Sequence, residues 1–568
     1  MNKNSLLYYL ICLVLCVSCS ALDKDELASI TDESVWNDVK YATAYLDKLH
    51  RDYIPGWNGS IGADSDEACG EVGVLSAVLF GRMTQTTYGS WKGSYDQIRN
   101  VNLLLEKMET STLDKDTRNL LTAQALVIRA WIYFDLVRKY GGVPMILKTL
   151  SLSDDLYVER TKTSECIALI QKDLDDAIAV TNFPYQWSGN DAGRLSKAAA
   201  LALKGRLLLY WASPQFNPNN QQDRWQAAYD ANKNARDLLL QNGYGLYEKY
   251  ADLFFDEMNK EAVFVKRYEY PHLGHAWESG TRPGESGISL MAPSWNRPTW
   301  DLAISYPTIS GKPADASNPE YDDVLFWKDR DPRFTSTFVW NSSLFELYNR
   351  AGWRQWTYNE TNYVSPTHMY CRKAIHTNYT QDDAFAGKNS GDWIEIRYAE
   401  VLLNFAECAA ALNKTDEALD MLKQIRSRAG IRAGGDGLYG LEAGMSKEAM
   451  TKAILLERKL EFAMEGKRFW DLRRYRLFAS ELNGKYRHGR KPVLREGFDI
   501  DAVKADPNID WDTEYGTYFV DEVDNADLYT IDFKDEYYFY PIHNDDIYTN
   551  SKIQQTKGWE GGTFDPLE

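Results

Sequence analysis

Apolar residues recur at helical spacing along most of this chain. The clearest case runs from Arg397 to Gly430. Tyr398, Val401, Leu402, Phe405, Cys408, Ala409 and Leu412 fall on one helix face. After an Asn413-Lys414 turn, Ala418, Leu419, Leu422, Ile425 and Ala429 fall on a second. Thr415 is suited to cap the second helix and Gly430 to end it. The unit has about the 34-residue tetratricopeptide period. A pattern from about Arg118 to Tyr140 carries Leu121, Ala125, Ile128, Ile132 and Leu136 on one face and stops at Gly141-Gly142-Val143-Pro144. From Ser196 to Pro214 the run is apolar nearly all round, which predicts a central buried helix. Further helices are predicted near 33–49, 91–110, 162–180, 222–240 and 446–476. Hairpins of this kind bury one another's faces when stacked. The expected fold is therefore mainly α, made of tetratricopeptide-like stacked helical hairpins.

The stretch from Tyr270 to Gly391 breaks the pattern, being rich in Gly, Pro, Asn and Ser and without long helical periodicity. Extended to Trp393 it holds Trp277, Trp295, Trp300, Trp327, Trp340, Trp353, Trp356 and Trp393, eight of the 18 Trp. Loops of this length inside a compact protein are functional or disordered, and so many indoles argue against disorder. A loop-rich, aromatic-rich insertion forming the ligand face is the expectation.

Composition sharpens that picture. Aromatic residues make up 13% of the 568, and the net charge is −18. Such a charge argues against a nucleic-acid partner, which needs a basic face. A polyanionic ligand is disfavoured for the same reason, a local basic pocket aside.

The N-terminus reads as an export signal. Lys3 precedes an apolar or small stretch from Leu6 to Val17, too short for a transmembrane helix. Val17-Ser18-Cys19 resembles the end of a bacterial lipobox, with Cys16 where Leu is usual. Cys19 is the expected lipid attachment site and outer-membrane lipid a partner through the acyl anchor. Residues 1–18 are then a signal peptide and 19–30 a lipidated, flexible tether. Cys69, Cys166, Cys371 and Cys408 remain, scattered without a CxxC pair, and suggest neither a disulfide framework nor a zinc site.

Catalytic chemistry finds little support. Glu457, Glu461 and Glu465 share one helix face, and Arg458, Arg468, Arg473 and Arg474 lie close enough in sequence to neutralise them as a buried ion-pair network. With 82 acidic residues, any pair of carboxylates chosen to imitate a glycosidase carries no weight. No GxSxG elbow, Walker loop or HExxH occurs, and His272 and His275 lack a third ligand. No catalytic residue, metal or cofactor is expected. Indole faces stack on sugar rings while nearby polar groups bond the hydroxyls. On that ground Trp277, Trp295, Trp353 and Trp356 are ligand-binding candidates, with Arg354 and Gln355 as donor and amide between the last two. Trp57, with Asp64 and Asp66 in a Gly-rich early loop, forms a second group. Core packing competes for every one of these Trp. Trp131, Trp300, Trp327 and Trp393 are read as structural.

Several segments carry a family resemblance. Trp91, Tyr95, Ile98 and Asn102 form one motif; Arg129-Ala130-Trp131 through Val143-Pro144 form another. Arg194 to Ala200, Asp329-Arg330-Asp331-Pro332-Arg333-Phe334, Arg397 to Leu403, and Glu457-Arg458 through Arg474 follow. In this order they resemble the SusD/RagB-like family over nearly the whole mature chain. The end departs from the pattern, with His543 after Tyr540-Pro541-Ile542 and Thr556-Lys557 before Gly558. The resemblance implies a helical scaffold with a loop-rich face, on a surface lipoprotein of the outer membrane. It implies delivery of oligosaccharides to a SusC-like, TonB-dependent outer-membrane transporter; some relatives bind peptides or other nutrients instead, and a glycoside hydrolase is the remaining alternative. Residues 31–568 are expected as a single unit. Its parts are an N-terminal helical part 31–269, a loop-rich ligand region 270–393, a C-terminal helical part 394–480 and a C-terminal segment 481–568.

Overall fold

The computed structural model describes residues 32–57, 61–70, 75–283, 295–358, 365–380, 382–384 and 387–568. The signal stretch 1–18, Cys19 and the tether lie outside the described residues.

The predicted helices form, and each packs on the next. Lys92–Thr110 lies against Lys115–Tyr140, which lies against Thr163–Ala179, then Lys197–Ala212, then Gln222–Gln241. Gln222–Gln241 packs directly on Tyr398–Ala411, which meets both Thr415–Ala429 and Lys447–Glu461. The stack thus runs straight across the point where the chain leaves it, at Gln241, and rejoins it, at Tyr398. Everything between is an insertion. Local chemistry sets the ends: Asp114 accepts from Thr117 N at 2.9 Å and Ser446 from Ala449 N at 3.2 Å. Gly430 ends its helix with φ +89°. Thr415 is the first residue of its helix rather than the cap, and Lys414 precedes it. Lys115–Tyr140 is long and apolar enough to cross a bilayer but is packed inside the stack.

Two antiparallel strands, Ala262–Lys266 and Trp393–Arg397, close the base of the insertion. Nearly every residue of both is buried, Glu395 and Arg397 included, because each finds a charged partner: Arg206 and Lys467 for Glu395, Glu461 and Glu465 for Arg397. A second ribbon pairs His488–Leu494 with Phe519–Asn525. The end of the chain then returns to the early helices. Tyr540 N donates to Lys139 O at 2.8 Å, Thr163 Oγ1 to Pro566 O at 2.8 Å and Ser164 N to Glu568 O at 3.2 Å.

The long helix expected over 446–476 is two helices, Lys447–Glu461 and Arg468–Arg474. Between them Met464 has φ +62° and Gly466 φ +70°, a left-handed turn that no continuous helix holds. The turn brings Glu465 onto the same guanidinium as Glu461: Arg397 Nη1 reaches Glu461 at 2.9 Å and Nε reaches Glu465 at 2.8 Å.

Glu457, Glu461 and Glu465 do sit in a buried ion-pair network, but with other partners than sequence proximity suggests. Arg333 bonds Glu457 at 2.7 Å and Glu461 at 2.9 Å. Arg426 bonds Glu457 at 2.7 Å, Arg428 reaches Glu461 and Glu261, and Lys373 bonds Glu465 at 2.5 Å. Of the Arg residues near in sequence, Arg458 takes Asp471 at 2.9 Å, Arg474 takes Glu407 and Asp471, and Arg468 takes Asp66 at 2.9 Å. Arg473 bonds Lys139 O and stacks on Tyr540. The glutamates point inward, where distant segments converge, while the local cations leave from other helix faces. Burial alone would push these carboxyls up; the surrounding Arg and Lys overcome it and hold Glu461 far below the usual carboxylate range.

Candidate ligand-binding surface

Most rings of the insertion make a core of their own. Trp300 meets Phe326 edge-on at 5.1 Å, Trp327 stacks on Trp340 at 5.6 Å, and Phe334 lies 5.6 Å from Trp340. A segment without long helices cannot align small apolar side chains into one face. Large rings fill the irregular space instead. Much of the Trp excess therefore has a packing cause, and Trp131, Trp300, Trp327 and Trp393 are all buried.

The candidate residues separate accordingly. Trp277 is 2% exposed, donates Nε1 to Lys373 O at 3.3 Å and stacks on Trp57 at 4.7 Å. Trp57 is half-buried, meets Trp393 edge-on at 4.9 Å and donates to Gly391 O at 2.8 Å. Both pin the early loop to the base of the insertion. Asp66 is buried between Arg468 and Lys459, 2.9 and 3.0 Å away. Asp64 takes the Ser76 hydroxyl at 2.6 Å. Burial pushes its carboxyl up, against the Ser76 bond and Arg487, which lower it.

Trp353 and Trp356 do not form one platform. Trp356 packs edge-on against Trp511 at 5.0 Å, on the C-terminal segment. Trp353 is half-buried under Arg350, whose guanidinium lies 3.7 Å from its ring centroid. Arg354 donates to Ser342 O at 2.7 Å, and Gln355 is buried. Odd spacing on extended backbone sends the two indoles to different neighbours. Trp295 lies on Gly280, with its backbone N–H donating to Gly280 O at 2.6 Å.

A cavity of about 460 Å³ opens beside the short hairpin that pairs Ser343–Leu344 with Arg354–Gln355. Phe254, Phe255 and Phe345 line one part of it, and Arg372, Lys373, His376, Thr377 and Asn378 another. Phe255 is 39% exposed, although it is a large apolar ring. His376 stacks on Tyr379 with centroids 4.2 Å apart and meets Phe255 edge-on at 4.7 Å. Its Nδ1 lies 2.9 Å from Glu278 Oε1. Phe345 N donates to Trp353 O at 2.9 Å, which ties the cavity wall to the hairpin. A row of alternating cations and rings leads away from the cavity: Arg282, bonded to His376 O, then Tyr348, Arg350 and Trp353.

Hydrogen-bonding capacity is left over along this row. Arg282 Nη1, Trp295 Nε1, Tyr348 OH, Trp353 Nε1 and Arg372 Nε are buried without a hydrogen-bond partner among the described residues. Buried polar groups normally find one, and these five lie in adjoining segments. The indole pattern singles out Trp295 and Trp353 in this region, and not Phe255, His376, Tyr379 or Arg372. The one signal available was the Leu253-Phe254-Phe255 run in a segment without helical pattern. Among the described residues no group of His, Cys, Asp and Glu is placed to hold a metal, and the four described Cys are free and buried.

Comparison with known proteins places this architecture. The SusD-like protein P38 of Formosa agariphila is 26% identical over 503 residues, 83% of this chain and 91% of that protein. A solved SusD-like protein of Bacteroides fragilis superimposes with a TM-score of 0.76 at 23% identity, over 94% of this chain and 100% of that one. A second from the same organism, described as a SusD-like carbohydrate-binding protein, gives 0.73 at 23% identity, over 92% and 100%. Residues 77–209 match a family described as starch-binding, associating with the outer membrane. Residues 260–559, more than half the chain, match the SusD family itself, and this protein belongs to that family.

Proposed function

We propose that this protein is a non-catalytic glycan-binding lipoprotein, anchored through Cys19 on the outer face of the outer membrane, that delivers oligosaccharide to a SusC-like, TonB-dependent transporter. The observation that carries the reading is the ring-walled cavity with its row of unspent donors. A sugar ring offers a C–H face to aromatic rings and hydroxyl oxygens to N–H groups, and the cavity with its adjoining row presents both. The carbohydrate-binding relative supports the ligand class, and the outer-membrane family description supports the location. Against turnover, the described lining of the cavity holds one carboxylate, Asp252, whereas glycoside hydrolysis ordinarily needs two facing each other. Candidate contacts are Trp295, Trp353, Phe255 and Tyr379. Calorimetric titration with a panel of oligosaccharides and peptides tests the ligand class. Glycan binding without release of reducing ends is expected; peptide binding alone, or sustained hydrolysis, overturns the reading. Co-purification of a TonB-dependent transporter from membranes tests the partner.

A further inference from the structure

Positive charge in the proposed site goes unanswered. Arg333, Arg397, Arg426 and Arg474 face carboxylates. Arg160 and Arg330, which do not, spend their guanidinium groups on several backbone carbonyls each. Arg473 holds one carbonyl and stacks on Tyr540 inside the closed core. The half-buried Arg372 has none of these arrangements. It lines the cavity, with no carboxylate of the described residues within 4 Å. Its Nη2 donates to Leu344 O at 2.5 Å, and its Nε is buried without a partner. The group lies 4.9 Å from the Phe345 ring centroid, so a charged donor and an apolar face stand side by side.

Nearby charges do not cancel it. Lys373 is spent inward on Glu465. Asp252 is drawn off by Lys249 at 3.8 Å, and Glu278 is held by Arg282 at 2.7 Å. Arg350, on the same hairpin, is also without a carboxylate within 4 Å among the described residues.

We infer that the cavity takes an acidic glycan, with a carboxylate or sulfate of the sugar seated on Arg372 and the ring against Phe345. The inference rests on the glycan-binding reading above. Burial lowers the Arg372 guanidinium to about 10, with no opposing charge to raise it. The chain's net charge of −18 does not contradict this. Charges beyond the screening length of about 8 Å at physiological salt count for little against one guanidinium at contact.

The test titrates matched probes: polygalacturonate oligosaccharides against their carboxyl-reduced form, and chondroitin sulfate oligosaccharides against their desulfated form. The acidic member of at least one pair should bind about ten- to a hundredfold tighter, as a charge-assisted hydrogen bond allows. Which pair responds separates carboxylate from sulfate. Arg372→Gln should remove most of the difference between the acidic and neutral members of the responding pair, whatever it does to their common affinity, and Arg372→Lys should keep part of it, with thermal midpoints checking the fold. Equal binding of both members in both pairs by the wild type overturns the inference alone, as does an undiminished preference in a folded Arg372→Gln. Failure to bind any oligosaccharide, neutral or acidic, overturns the glycan reading with it.

Discussion

At the scale of single residues, two indoles of one segment have opposite fates. Trp353→Ala should lower glycan affinity roughly five- to thirtyfold with little change in thermal midpoint, the ordinary cost of a stacking anchor. Trp277→Ala should instead destabilise by about 3–5 kcal/mol, because a ring 2% exposed leaves a cavity behind. Calorimetry and thermal melts on both variants check the contrast. Nothing in the sequence separates these residues, since each sits in a Gly- and Pro-rich stretch. Exposure of a ring is decided by what folds over it, which is a tertiary property. Glu67 gives a second prediction. Burial, then the neighbouring Asp66 charge, raises its carboxyl to about 8. A raised acid is protonated in the folded state and ionised in the unfolded state between about pH 4.5 and 8, so its contribution to stability falls as pH rises through that window. Glu67→Gln should flatten the decline in melting temperature between pH 5 and 8, measured by scanning calorimetry. An unchanged slope would place the titration elsewhere.

Elements were legible in proportion to their periodicity. The helices from Lys92 to Gln241 and from Tyr398 to Ala429 follow from apolar residues three and four apart, and Gly430 ends the last as expected. The 446–476 helix was overextended because its pattern continues through Glu465, and the left-handed turn at Met464 and Gly466 leaves no mark but one glycine. Gly466→Ala should cost about 1–2 kcal/mol from its positive φ alone, and the new Cβ would stand 3.1 Å from Ile61. The network was legible as a network but not in its pairings. Arg333 joins Asp331, Glu457 and Glu461 across three segments. Arg333→Ala should therefore cost about 3–5 kcal/mol, since carboxylates stay buried without their partner. Denaturant midpoints, or loss of soluble protein, would show it. A loss below 1 kcal/mol would mean that water reaches the site.

For the whole molecule, the early residues carry the anchoring prediction. Cys19→Ala should release the protein from the outer membrane fraction, while protease added to intact cells should digest the wild type. Attachment of the mutant to membranes would reject the acyl anchor. Periodicity lapses between Tyr270 and Gly391, but the chain already leaves the helical stack at Gln241 and rejoins it at Tyr398. The binding cavity was not legible, because Phe254 and Phe255 precede that stretch and meet Arg372 and His376 only in three dimensions.

The return of the last residues to the early helices has a consequence in time. Gly142 packs against Phe564, and Thr163 and Ser164 bond Pro566 and Glu568. About 420 residues separate Gly142 from Phe564. At ~5–20 residues made per second, the first helices wait roughly 20–80 s for their final neighbours. Through much of that interval buried charges whose partners come late, such as Asp66 with Arg468 and Arg206 with Glu400, stay hydrated. The nascent chain cannot settle early into its finished form. The order in which contacts become available thus sets when the stack can close.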